Sequence, residues 1–372
     1  MSERHGPRLH RLAAVVRAVV DPEAAQGAPW AEPLPAAQWR RLRASADRHR
    51  VVGMLGHLVV HGRLAVTDAQ FDDVAADMER WAGHVLVVED LAVRATAALE
   101  AGGVDVRTAK GVALAHTVYP APEARVFADV DLFVPAASID AAVELLGDEL
   151  GAQRALPELR PGFDHEFAKE VMLETSAGFE LDLHRTLVPG AFGLLVPLDE
   201  LYDHRPTFHL AGRELATFDT VHHAVYSAMS VALADIPVRY SALADLVLLV
   251  GQGGDDVAEV IATAHRWGQA IVLQRAVHLV GHHLGVWPSD HPLVTWADRY
   301  RPGRREKLLL ASNLAAGRTY LRQLAAVAVL DGVGRRGRYL RALVSPSDEY
   351  LAARDWRRGS HVTRAWRRLR GR

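Results

Sequence analysis

Cysteine is absent from all 372 residues. Without it the chain has no disulfide, no thiolate nucleophile, no cysteine-type zinc site and no iron–sulfur cluster, so any metal must be held by oxygen or histidine. Lysine is scarce as well: Lys110, Lys169 and Lys307 stand against 40 arginines. No stretch approaches the roughly 20 uncharged apolar residues that span a bilayer. The best candidate, residues 242–250, carries Asp245 at its middle, and the apolar residues of 12–20 are broken by Arg17 with no cleavage pattern behind them. The expectation is a cytoplasmic protein with no membrane partner. A formal charge of −2 excludes a chain that is strongly basic or acidic as a whole. What remains is 49% hydrophobic and long enough for two or three structural units around a real core. The heavy use of alanine and arginine points to a GC-rich bacterial genome.

The chemistry concentrates in KGVALAHTVYPAPEARVFADVDLFV, residues 110–134. Asp129 and Asp131 lie one residue apart in a run with Phe127, Val130, Leu132, Phe133 and Val134, the composition of a buried strand. Side chains alternate along a strand, so both carboxylates are expected on one face, a few ångströms apart. Two like charges that close repel, and one protonates unless a cation stands between them. A hard divalent cation such as Mg²⁺ or Mn²⁺ suits paired oxygens. Upstream, Gly111 lets backbone approach a ligand, and Lys110 supplies a point charge suited to phosphate. Arg125 offers a planar fork to phosphate oxygens or to the acids themselves.

A second informative stretch is FELDLHRTL, residues 179–187. Phe179, Leu181 and Leu183 face one way on a strand, so Glu180, Asp182 and His184 face the other. An acid, acid, histidine row fits a metal site better than a dry core. Asp182 is the preferred third ligand, with Glu180 next and His184 as an orienting neighbour.

Lys110-Gly111, a short helix ending in Tyr119-Pro120, a loop with Arg125, then Asp129-hydrophobic-Asp131 resembles the motif of the uncharacterised nucleotidyltransferase family within the polymerase-beta-like nucleotidyltransferase superfamily. The Asp182-Leu183-His184 pattern is similar to that family's third-acid segment. The resemblance implies transfer of a nucleoside monophosphate from a nucleoside triphosphate, with ATP the expected donor, to a hydroxyl or amine of an unidentified small molecule, peptide or protein. It implies Mg²⁺ held by Asp129, Asp131 and a third acid. The wider superfamily carries Gly-Ser ahead of the acid pair. Here Val112 follows Gly111, which shifts the phosphate contact onto Lys110.

The expected architecture is α/β (α+β): a small mixed-sheet core over 86–212, a helical region over 1–85, and a helical region with a basic tail over 213–372. Apolar spacing predicts helices over 9–20, 37–46, 51–61, 68–82 and 84–100 before the core. After it, helices are expected over 219–233, 241–250, 257–267, 270–284, 304–313 and 320–330, and residues 167–173 and 179–187 read as a hairpin. The arginines of QWRRLRASADRHR read as a solvated helix face. GQGGDD, with Gly251, Gly253 and Gly254, lacks a phosphate loop's Lys-Ser/Thr and reads as a helix end. From Arg354 to Arg372, eight arginines and two tryptophans meet one acid, Asp355. That tail reads as an amphipathic helix docked on the body in preference to a nucleic-acid grip. Two other functions stay open: a catalytically inactive nucleotide-binding regulator or antitoxin-like partner, kept in view by Val112, and an RNA-binding helical protein acting through the tail.

Overall fold

A computed structural model describes residues 7–22, 29–233, 237–251, 256–315 and 319–355. The tail from Trp356 onward, including Trp366, lies outside the described residues, as do Gly253 and Gly254. Four helices lead in: α1 (Pro7–Val20), α2 (Ala36–Arg48), α3 (Val52–Val60) and α4 (Asp68–Ala101). α2 buries Trp39, Leu42 and Ala46 at helical spacing and turns Arg40, Arg41 and Arg48 to solvent. The helices expected over 68–82 and 84–100 are one 34-residue helix, so the boundary placed at residue 85 falls inside it. Gly83, where the break was expected, is exposed, and a Cβ there would meet nothing within 4 Å. A lone glycine costs a helix only about 1 kcal/mol relative to alanine, too little to break one packed on both halves. α4 starts on a capping box, in which the Thr67 side chain accepts from Gln70 N–H and the Gln70 side chain accepts from Thr67 N–H.

The sheet follows: β1 (Arg107–Ala109), α5 (Lys110–Thr117), β2 (Val130–Phe133), α6 (Ile139–Leu150), β3 (Gln153–Arg154), the turn α7 (Phe163–Glu166), β4 (Glu170–Glu174) and β5 (Glu180–His184). Its order is β1-β2-β5-β4-β3, with β2 and β5 parallel and the other pairs antiparallel. The fold is thus mixed α/β, and β4–β5 is the expected hairpin, shorter than its sequence run. On the back face Val130, Leu132, Val171, Leu173, Leu181 and Leu183 form one buried core with Val88, Leu91, Ala95 and Leu99 of α4 and Ile139, Ala142 and Leu146 of α6. Alternation therefore sends Asp131, Phe133, Asp182, His184 and Glu170 to the front.

The remainder comprises α8 (Ala191–Leu194), β6 (Thr207–Leu210), β7 (Arg213–Ala216), α9 (Thr220–Leu233), α10 (Tyr240–Val250), α11 (Val257–Arg266), α12 (Ala270–His283), α13 (Pro292–Arg299), α14 (Arg304–Leu314), α15 (Thr319–Val329), α16 (Val333–Val344) and α17 (Asp348–Ala353). The expected helices fall within a residue or two of these. The β6–β7 hairpin, α13, α16 and α17 were not anticipated. α10, α11 and α12 gather around α9, whose Tyr226 shares a buried core with Phe133 on the front of the sheet. Among the described residues no helix is long and apolar enough to cross a membrane.

Candidate active site

The front of the sheet is built by register. Asp131 on β2 lies opposite Asp182 on β5, and Phe133 opposite His184, in parallel pairing. On the other side β5 meets β4 so that Glu170 lies opposite His184. One carboxylate oxygen each from Asp131 and Asp182 and a ring nitrogen of His184 all lie within 4.8 Å of one another. Asp131 and His184 are buried and Asp182 is half-buried. The expected row on β5 is present, but its members differ: Glu180, at the start of the strand opposite Glu174, is exposed.

His184 Nε2 lies 2.6 Å from Asp131 Oδ1. Burial, then the nearby Lys169 ammonium, hold the imidazole below the usual histidine range. The neutral ring donates from Nε2 to Asp131 and turns a bare Nδ1 toward Glu170 Oε2, 3.3 Å away. Nδ1 has no hydrogen-bond partner, and Glu170 Oε2 is itself ion-paired with Lys169 Nζ. The Lys169 ammonium is the positive charge that eases these two facing acceptors. Burial opposes the charge on Asp131, but the Lys110 ammonium and the His184 hydrogen bond outweigh it and hold this carboxyl well below the usual range. Asp182 goes the other way: burial, then the charges of Glu170 and Asp131, push its carboxyl up to about 7. Two carboxylates in register, driven apart in acidity, with a third carboxylate and a histidine beside them, form an oxygen-rich donor set that fits a hard divalent cation.

Asp129 stands outside the group within 4.8 Å. β2 begins at Val130, so Asp129 lies just ahead of the ladder, where alternation does not fix direction. It is half-buried, with Oδ1 3.5 Å from Arg50 Nη1. Arg50, from the arginine run expected to coat a solvated face, sits in the turn between α2 and α3 at φ 54°.

Lys110 opens α5 at φ 48°, a left-handed conformation costly for a residue with a side chain. Its Nζ lies over the Tyr226 ring, 4.0 Å from the centroid. Burial lowers its pKa, and Asp131 is the strongest opposing charge. Gly111 has a packing reason for lacking a side chain: a Cβ there would stand 2.5 Å from Phe127 Cβ. Arg125, expected at phosphate or at the acid pair, is found elsewhere. Its Nε and Nη2 donate to Asp245 of α10 at 2.8 and 3.0 Å, and its Nη1 donates to the Val126 carbonyl. Tyr119 O–H donates to the same Asp245 at 2.6 Å. The fork is buried and committed, pinning the loop ahead of β2 to α10.

Three residues at the site were not singled out from sequence: Lys169, Glu170 and Tyr226. Lys169 carried a signal, since two of the chain's three lysines meet at this cluster while arginine serves nearly everywhere else.

A family model described as an uncharacterised nucleotidyltransferase matches residues 35–285. No curated protein matches the sequence. A solved structure, the crystal structure of an antigenic nucleotidyltransferase-like protein from Paracoccidioides brasiliensis, is similar at 16% identity, covering 56% of this chain and 95% of that one, with a TM-score of 0.31. The family match runs from the entry to α2 through α12 and takes in every residue of the acid cluster, and on that footing the chain belongs to the uncharacterised nucleotidyltransferase family.

Proposed function

We propose that this protein is a Mg²⁺-dependent nucleotidyltransferase that moves a nucleoside monophosphate from a nucleoside triphosphate, ATP in the first instance, to a hydroxyl or amine of an acceptor. The observation that carries the reading is the in-register pair Asp131 and Asp182 on parallel strands, with His184 and two lysines around it. Asp131 and Asp182 would hold the cation, and Asp129, whose charge acts on Asp182 from just ahead of the ladder, would be the further carboxylate. A divalent cation held there would supply positive charge for the triphosphate and for the pyrophosphate as it departs.

The chain's own groups do the rest. Lys110 and Lys169 neutralise phosphate, each as a compact point charge. His184 holds Asp131 in one orientation through Nε2, as outer partners of metal-binding carboxylates do. Asp182, the half-buried member of the pair, is the carboxylate we assign to take the acceptor's proton. Arg125 and Gly111 serve by building the floor: the first fixes the loop before β2, the second lets α5 close on Phe127.

The test is to incubate the protein with Mg²⁺, each labelled nucleoside triphosphate in turn, and cell extract, then assay pyrophosphate and labelled product. Magnesium-dependent pyrophosphate release that vanishes in Asp131→Asn is expected. Nucleotide binding with no release under any acceptor mixture would move the protein to the inactive-regulator reading.

A further inference from the structure

The site contains a bracket of rings with no assigned task. Tyr226 of α9 is wholly buried, and its hydroxyl has no hydrogen-bond partner. Burial first, and then the charges of Asp131, Glu170, Asp182 and Asp129, push that hydroxyl well above the usual tyrosine range, so it lies within reach of the acid cluster's field. One face of its ring carries Lys110 Nζ at 4.0 Å. It meets Phe133 in a T-shaped contact, centroids 5.6 Å apart at 84°, and Phe133 stacks on His184 at 4.6 Å and 14°. His184 in turn reaches Asp131. The series Lys110, Tyr226, Phe133, His184, Asp131 therefore runs from the cation to the acid without a gap. Lys110 also holds a left-handed backbone that glycine would adopt at no cost, so its side chain is what the position keeps.

We propose that Tyr226 is the positioning residue for Lys110: its ring holds the ammonium at a fixed place beside Asp131, and its free hydroxyl donates to the same phosphate that Lys110 meets. The phosphate part rests on the function proposed above; the ring part does not. A lysine has four rotatable bonds and a strongly hydrated head, so without a platform it would spread over many positions. A ring face attracts a desolvated ammonium, and the surrounding stack keeps the ring from turning. Substituting phenylalanine keeps the platform and removes only the hydroxyl. Leucine removes both.

Because the chain has three lysines, lysine labelled with ¹³C at the ε carbon gives three signals, assigned by Lys110→Arg, Lys169→Arg and Lys307→Arg. The Lys110 ε-protons should be shielded by the ring current in the wild type and in Tyr226→Phe, and lose that shielding in Tyr226→Leu. Unmoved Lys169 and Lys307 signals report that the variant has folded; Tyr226→Met serves if leucine does not fold. Calorimetry with Mg²⁺ and an ATP analogue that resists cleavage at the α-phosphate gives the second readout. Tyr226→Phe should weaken binding about tenfold, as for one lost hydrogen bond to a charged group, and Tyr226→Leu by more; an unchanged affinity in Tyr226→Phe overturns the hydroxyl's part. An unshielded Lys110 signal in the wild type, or one unchanged by Tyr226→Leu, overturns the proposal. Lost shielding with unchanged affinity overturns its phosphate half. A wild type that binds no analogue sinks the nucleotidyltransferase reading itself, and the lysine signal still decides whether the ring holds the ammonium.

Discussion

Replacing Asp182 by Asn should stabilise the metal-free protein while disabling it. The folded-state carboxyl is pushed from 3.8 up to about 7 by burial and by Glu170 and Asp131. A folded pKa above the unfolded one means the folded chain holds this proton more tightly. The stability tied to it is full below about pH 4 and is lost as pH rises through about 7. At about 1.4 kcal/mol per unit, the shift caps the loss near 4 kcal/mol, and partial solvent access reduces it to about 2 kcal/mol. Asparagine stands in for the protonated acid at every pH. In EDTA, urea unfolding followed by tryptophan fluorescence should give wild type and Asp182→Asn nearly equal stability at pH 4. At pH 8 the variant should lead by about 2 kcal/mol. Saturating Mg²⁺ should reverse the order, because only the wild type gains from binding. Turnover of the variant should fall on the order of a hundredfold, as for a lost transition-state interaction of about 3 kcal/mol. Glu180→Gln, exposed on the same strand, should change neither quantity much. A variant no more stable than wild type at pH 8, or a gap of the same size at both pH values, refutes the crowded-acid account.

Magnesium affinity should rise with pH up to about 7 and then level, since binding displaces the Asp182 proton; calorimetry in two buffers of different ionisation enthalpy would read that proton as it leaves. Asp245→Ala strips the buried partner from Arg125 and Tyr119 and should cost about 3–5 kcal/mol in urea unfolding. If that loss is under about 1 kcal/mol, the ion pair does not pin the loop before β2. A chain ending at Arg354 should fold and bind Mg²⁺ with the affinity of the full chain, as every residue of the acid cluster lies before that point; a loss of binding in a folded truncated protein contradicts this.

The helices were legible because their buried residues recur at a regular spacing, as Trp39, Leu42 and Ala46 do on α2. The sheet's front face was legible for a related reason. Strand alternation makes Asp182 and His184 point together regardless of what lies beside them. The same rule does not fix Asp129, which lies one residue ahead of β2, although its charge still acts on Asp182 and Lys110. Arg125 shows the other limit. Its partner, Asp245, lies 120 residues along the chain, and no local pattern announces such a pairing. Glu170 and Tyr226 reach the site through strand register and helix docking, which sequence spacing does not encode. Lys169 was the exception, visible as a rare residue type but without an address. The β6–β7 hairpin escaped because its turn is Ala211-Gly212, both at positive φ, where Asn-Gly would have signalled it.

The unbroken α4 has a consequence for how the protein can be divided. Its first half packs against α3, and its second half forms the back wall of the sheet beneath Asp131 and Asp182. A rod of 34 residues is about 50 Å long, so one rigid piece spans both regions. A fragment cut at residue 85 would begin in mid-helix, stripped of the Thr67–Gln70 cap, with its frayed end close to the sheet it should support. The leading helices are thus part of the scaffold of the acid cluster. Any fragment meant to keep the site intact should begin ahead of Thr67.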